Sequence, residues 1–406
     1  MPSRRDFLLA AGTGAATLAA GCLAGPPTRP SGLDPLAATT LDEHAAAQFQ
    51  GGLRNRGYVD HAIPEAVAVD WALPVNRAEH TAAKSTPVPT PDGDVVIAAD
   101  TGKLRRVSPA GEVRWVAEVE PTSRGMHGTP AIANGSVYVG AYDGALYAFD
   151  LETGRRQWRR PLGDAIGSSP VYFNGVCYIA VEYGAPADGS VAAVDAATGA
   201  QLWGDGRPTS HPHSTIAIDR EAGRLVVGSN DGYCYGWTFP GLERAWAFET
   251  GAPIKGPIAT HDGLAIFGSW DDHAYGVDLA DGREVWRHEA AREVMTGPAI
   301  SPDGTAFVGA HDYRVYALDA ATGEVDWSFA TDGSLIGSLT ATPEHVLVGS
   351  YDTELYAIDA ETGEETWSVA GTGSATSAPL VTAEAIYYAE RRRDGEPGSL
   401  YRLVPA

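Results

Sequence analysis

The 406-residue chain is poor in cysteine, in lysine and in long apolar runs. Three cysteines, Cys22, Cys177 and Cys234, cannot build the disulfide framework of a small secreted scaffold, and no two are adjacent. The lysines are Lys84, Lys103 and Lys255 alone, and Asp plus Glu outnumber Lys plus Arg by 52 to 29, for a formal charge of -23. Such a surface repels nucleic acid and anionic lipid, so nucleic acid is excluded as a partner. The uncharged stretch Leu8 to Ala20 has thirteen residues, too few to span a bilayer. Catalytic signatures are missing too: there is no GxSxG elbow, no HExxH, no GxxxxGK[ST], no CxxCH and no Cys/His metal spacing.

What is present begins with a leader. SRRDFL at Ser3–Leu8, with Arg4 and Arg5, resembles the twin-arginine (Tat) export signal, and LAAGC at Leu18–Cys22 resembles a lipobox, although Ala19 stands where leucine is usual. These residues lead us to expect a signal peptide over 1–22, lipidation at Cys22, and anchoring to the outer face of the cytoplasmic membrane. The Gly/Pro/Thr-rich residues 23–40 read as a flexible tether and 41–65 as a lead-in segment. The acidic, lysine-poor, alanine-rich composition resembles proteins of halophilic archaea, in which bound cations screen self-repulsion.

One phrase recurs through the remainder: AFDLETGRRQW ending at Trp158, AVDAATGAQLW at Trp203, GVDLADGREVW at Trp286, ALDAATGEVDW at Trp327 and AIDAETGEETW at Trp367. Weaker copies end at Trp115 and Trp246. With Trp71 the series has intervals of 44, 43, 45, 43, 40, 41 and 40 residues, the length of one four-stranded propeller blade. Alternating segments such as SVYVGA and ALYAFD, separated by Asn134-Gly135 and Asp143-Gly144, predict a meander of hairpins in each unit. The last unit stops before any tryptophan, whereas VAVDWALP at Val67–Pro74 has an outer-strand tryptophan with no inner strands before it. The N-terminal strand is therefore expected to complete the last blade, giving an all-β, eight-bladed propeller of four-stranded antiparallel blades over 66–406.

The AxDxxTGxxxW phrase resembles the hallmark of PQQ-like repeats, found in quinoprotein alcohol dehydrogenases and in BamB-like lipoproteins. FQGGLRNRGY at Phe49–Tyr58 resembles the lead-in of such propellers. In the dehydrogenases the resemblance implies a calcium ion held by acidic and amide side chains beside the quinone, an Asp base, and a disulfide of adjacent cysteines. This chain has no Cys-Cys pair, so no catalytic residue is assigned. Cys177 and Cys234 read either as buried free thiols or as a bridge between neighbouring blades. His211-Pro212-His213 is the nearest approach to a ligand pair, but with no third ligand nearby it reads as a loop, and no metal is assigned. Asp271-Asp272-His273 reads as a hairpin turn.

Aligning the repeats at the start of the innermost strands gives one ring of Lys84, His127, Gly167, His213, Ile254, Met295, Ile336 and Thr376. The next position gives Ser85, Gly128, Ser168, Ser214, Lys255, Thr296, Gly337 and Ser377. Two of the three lysines thus converge with two histidines on one funnel mouth of an otherwise acidic protein. Lys84, His127, Ser168, His213 and Lys255 are the candidate ligand-binding residues, for an anionic ligand or an acidic loop of a partner. The expected function is an exported, monomeric binding or scaffolding module for a protein or cell-surface polymer. The alternative is a degenerate or dye-linked dehydrogenase binding PQQ, with calcium, in the channel.

Overall fold

In the computed structural model, which describes residues 46–78, 84–183 and 188–406, the alternating segments pair as antiparallel sheets. The leader, with Arg4, Arg5 and Cys22, the tether and residues 41–45 lie outside the described residues. Among the described residues there are eight sheets, seven of four strands and one of five. We number these blades 1 to 8 in chain order: 88–118, 131–161, 171–205, 217–249, 259–289, 299–330, 340–370, and 374–405 with 67–76. The first strands of neighbouring blades approach one another around a central axis, so the sheets form an eight-bladed propeller.

Closure follows the expectation. Val67–Asn76 pairs antiparallel with Gly398–Pro405, Val67 opposite Pro405 and Asn76 opposite Gly398. Blade 8 departs from four strands in one detail. Its strand Ile386–Arg391 continues past Ala389, the last residue paired with Gly398–Pro405, and Glu390 and Arg391 take up the extra short strand Ser374–Ala375.

Blades hold together face to face. The middle strands, such as Ser136–Gly140, are buried on both sides, while outer strands such as Glu284–Glu289 alternate between exposed and covered residues. Eight buried apolar clusters result, one at each blade interface. The one between blades 8 and 1 contains Val75, Val95, Ile97, Tyr387 and Leu400. Each blade is a thin sheet that buries little alone, so the ring must close for every face to be covered. Cys177 lies in the cluster between blades 2 and 3 and Cys234 in that between blades 4 and 5; both are free and burial pushes both thiols up.

The recurrent phrase has a physical reason that spans two blades. Asp150 Oδ1 accepts from the Thr153 N–H at 2.8 Å and hydroxyl at 2.6 Å, and Gly154 follows at φ +69°. The ring of Trp115, from the preceding blade, packs on that turn, where a Cβ on Gly154 would come within 2.8 Å of it. The Trp115 indole N–H donates to the Leu151 carbonyl at 2.9 Å. Trp158, Trp246, Trp286 and Trp327 donate in the same way to Ala196, Leu279, Ala320 and Ala360. Trp71 reaches Pro109 and Trp367 reaches Pro64, carrying the staple across the seam. Trp203 is the exception. Blade 4 has TFPGLERAW in place of the Asp-x-x-Thr-Gly turn, and the buried Trp203 indole N–H finds no acceptor among the described residues.

The lead-in is more than a spacer. Ala47 pairs with Ile132 of blade 2, and Gln48 Oε1 accepts from the Tyr172 N–H of blade 3. The carbonyls of Leu53, Arg54, Arg56 and Gly57 then accept from Ile218, Thr260, Ile300 and Ala341, in blades 4, 5, 6 and 7. Asn55 donates to both Ile216 and Ile258 at 3.0 Å. The segment thus steps around six consecutive inner strands near their downstream ends and floors the channel, with Phe49 on the cavity wall.

Candidate functional site

Above that floor lies a cavity of about 390 Å³. Lys84, Arg124, His127, His213, Lys255 and His311 line it with Phe49, Tyr142, Trp270, Met295, Ile336 and Tyr351. No aspartate or glutamate is among its lining residues, in a chain with 52 of them. Four of the five sequence-assigned residues, Lys84, His127, His213 and Lys255, come together on this wall.

Ser168 does not. Its hydroxyl turns into the blade and donates to the Ala180 carbonyl at 2.8 Å, so its assignment to the ligand site is corrected. Ser169 faces the cavity instead. It belongs to a row of hydroxyls that join neighbouring inner strands: Thr129 Oγ1 accepts from the Thr86 N–H, Ser169 Oγ from the Thr129 N–H, and Thr215 Oγ1 from the Ser169 N–H. Ser168 and Ser169 precede the strand Val171–Phe173, so strand alternation does not fix which of the two hydroxyls faces the channel.

The cations are held at close quarters. Lys255 Nζ sits 3.4 Å from the centre of the Trp270 ring, a cation–π contact that offsets part of the desolvation lowering its pKa. Lys84, across the channel on the approach to blade 1, is pushed down to about 8, first by burial and then by the field of Lys255. Among the described residues no carboxylate pairs with Lys84. Arg124 lies over the Tyr142 ring at 5.6 Å, and the His127 ring is 4.3 Å from the same tyrosine. His311 is held below its ordinary value, chiefly by burial, with Glu293 3.6 Å from its Nδ1. The Trp270 indole N–H is buried with no acceptor among the described residues. Lys84, Arg124 and Lys255, on a wall whose lining includes no carboxylate and beside aromatic rings, attract an anion carrying carboxylates.

Arg124, Tyr142, Trp270, His311 and Tyr351 were missed by the sequence reading. Tyr142, Glu182, Asn230, Trp270, His311 and Tyr351 occupy one repeat position at the second-strand end of blades 2 to 7, two residues past the strand in every blade but blade 3, where Glu182 is its last residue. Aligning that position, as was done for the inner strands, would have found them. The Asp271 turn is structural as expected: its carboxylate accepts from the Gly251 N–H and the Tyr275 hydroxyl.

The geometry can be set beside known proteins. A family model described as outer membrane protein assembly factor BamB matches residues 65–182, 187–296 and 270–401. The chain belongs to this PQQ-like, BamB-like repeat family. The BamB protein of Moranella endobia is 26% identical over 160 residues, 37% of this chain and 39% of that one. That of Yersinia pestis is 24% identical over 269 residues, 60% and 65%. The chain thus matches less than two thirds of the length of these relatives. Among solved structures, a quinohemoprotein alcohol dehydrogenase from Comamonas testosteroni superposes with a TM-score of 0.74 at 15% identity, covering 92% of this chain and 82% of that one. BamB from Moraxella catarrhalis gives 0.63 at 16%, covering 83% and 97%. At such identities these structures share the fold.

The calcium of the dehydrogenase branch does not fit these residues. Calcium takes six or more oxygen ligands. The carboxylate beside this cavity, Glu182, has both oxygens directed at histidines, at 3.0 Å from His213 Nδ1 and 3.4 Å from His211 Nδ1. Cys177 and Cys234, buried at separate blade interfaces, cannot form a disulfide over a cofactor.

Proposed function

We propose that this propeller is the binding domain of an exported, lipid-anchored protein, and that its channel mouth receives a carboxylate-rich segment of a protein partner. The observation that carries the reading is the cavity wall bearing Lys84, Arg124, His127 and Lys255 without a single carboxylate. The family's description as an assembly factor supports a protein partner in kind, but an outer-membrane role is not transferred, because the composition points to a salt-adapted cell surface. Arg4 and Arg5 then serve export, Cys22 serves anchoring, and the tether holds the ring off the membrane. In this reading the protein works as a monomer, because each blade exposes only one short outer strand as an edge.

A hexaglutamate peptide titrated against the Trp270 fluorescence tests the site. The peptide should bind, more weakly as salt rises, and Lys84→Glu with Lys255→Glu should abolish both this binding and crosslinking to the partner on intact cells. Unchanged capture by the double variant would sink the reading. Turnover of an artificial dye with an alcohol and PQQ would overturn it in favour of a dehydrogenase. Anchoring is tested separately: Cys22→Ser should release the protein to the medium, and Arg4→Lys with Arg5→Lys should keep it inside the cell. Salt adaptation predicts a melting temperature that falls on dialysis into low salt.

A further inference from the structure

The loop between blades 3 and 4 carries His211 and His213 on either side of Pro212, and the fold brings them a third ligand from a distant strand. Glu182 ends the strand Val176–Glu182 of blade 3 and is buried, its side chain 3% exposed. Its Oε1 lies 3.0 Å from His213 Nδ1 and its Oε2 3.4 Å from His211 Nδ1. One donor atom from each of the three residues falls within 4.8 Å of the others. We propose that Glu182, His211 and His213 bind a single divalent transition-metal ion of the zinc or cobalt class, at a site open to the channel.

Three features argue for an ion. Nitrogen and oxygen donors at about 2.0–2.2 Å from one metal stand about 3.0–3.4 Å from each other when the angle between them is roughly 90–110°, and each histidine stands at such a distance from one oxygen of Glu182. The donor set is two imidazoles and one carboxylate, which suits borderline divalent ions and is poor in oxygen for calcium or magnesium. The ligands are also held from behind. Gly167 donates its N–H to Glu182 Oε1 at 3.2 Å, and the His211 carbonyl accepts from both the His213 and the Asn230 N–H groups, at 3.1 and 3.0 Å.

The space on the channel side is kept clear by the absence of a side chain at Gly167. A Cβ there would come 2.8 Å from Glu182 Oε1, 2.8 Å from the Tyr142 hydroxyl and 3.1 Å from His213 Nδ1. Three protein ligands leave at least one coordination position free, and His213 is itself on the cavity wall, so that position faces the channel. Binding through Nδ1 uses the lone pair that each imidazole carries on that atom. This inference does not rest on the acidic-partner reading.

The test uses the purified, untagged protein. Zinc competed against a chromophoric chelator should bind at one equivalent, and cobalt should give visible absorption bands of a low-coordinate site. His211→Ala and Glu182→Gln should each weaken zinc by about tenfold or more, leaving the hexaglutamate affinity of the Lys84 and Lys255 wall as a separate readout. His211 is partly exposed, so its variant stays decisive even where Glu182→Gln fails to fold. No stoichiometric binding, or zinc binding of equal strength in wild type and His211→Ala, overturns the proposal.

Discussion

The outer rim and the inner ring of this propeller are built on opposite rules. At the rim the same contact recurs: a tryptophan on one blade lies on a glycine of the next and donates to the carbonyl after its aspartate. At the inner ring no two adjacent blades present the same side chain at the equivalent position by the end of the second strand, where Tyr142, Glu182, Asn230, Trp270, His311 and Tyr351 follow one another. The rim repeats because every blade needs the same neighbour. The ring varies because only the cavity sees it, and variation there costs the blades little.

The largest effect should come from breaking the rim. Trp286 is buried, donates to Ala320 at 2.9 Å and covers Gly323, whose φ is +72°. Trp286→Ala should lower stability by about 3–5 kcal/mol, measured by denaturant melts, because both the packing and the staple go. A loss as small as that of an exposed-residue variant would show that the rim phrase is decoration.

The inner ring should respond in the opposite sense. Lys84 is held at about 8 by burial and by Lys255, so below that pH its ammonium costs the folded state. The unfolded chain binds more protons than the native one between about 8 and 10.5, and stability should rise with pH across that window. Lys84→Met should therefore be more stable than wild type at pH 7, by roughly 1–3 kcal/mol, with the gain fading by about pH 10.5. The same variant should lose hexaglutamate binding. A destabilised Lys84→Met would mean that the lysine is a structural ion-pair member and not a ligand-facing charge.

Legibility follows the same division. The tryptophan spacing, the missing last strand and its replacement by Val67–Pro74 could be read because each is a local pattern repeated at the rim. Lys84, His127, His213 and Lys255 could be read because the inner strands keep a register that the repeats transmit. Ser168 failed because it precedes the strand Val171–Phe173, where no strand alternation dictates which side chain faces the channel. Glu182 could not be joined to His211 and His213 from spacing, since 28 residues, with the third and outer strands of blade 3, lie between Glu182 and His211. The path of residues 47–57 over six blades is made of backbone bonds, which side-chain patterns do not encode.

Blade 8 sharpens the contrast, because there an ionisable group stands where most other blades have a small residue. Glu390 aligns with Ala141, Ser229, Ser269, Ala310 and Ser350. It is fully buried and accepts from the Gly373 N–H at 3.0 Å, and desolvation holds its carboxyl up at about 7. A raised acid contributes stability that is complete below about pH 4.5 and is lost as pH rises through 7. Glu390→Gln should flatten that decline, worth about 1–3 kcal/mol at pH 8. A wild-type profile flat from pH 5 to 8 would contradict the assignment.

The smallest effect asks whether the staple is a bond or only a packed ring. Trp286→Phe keeps much of the apolar area but leaves the Ala320 carbonyl without its donor, at a cost of about 1 kcal/mol beyond packing. Trp203→Phe removes an indole N–H that has no acceptor among the described residues, so beyond packing its cost should be near zero or favourable. The two substitutions change the same atoms at equivalent positions of blades 5 and 3, and their difference isolates the hydrogen bond. Equal losses at both sites would mean that the rim is held by ring packing alone, and that the aspartate turn serves only to shape the glycine beneath it.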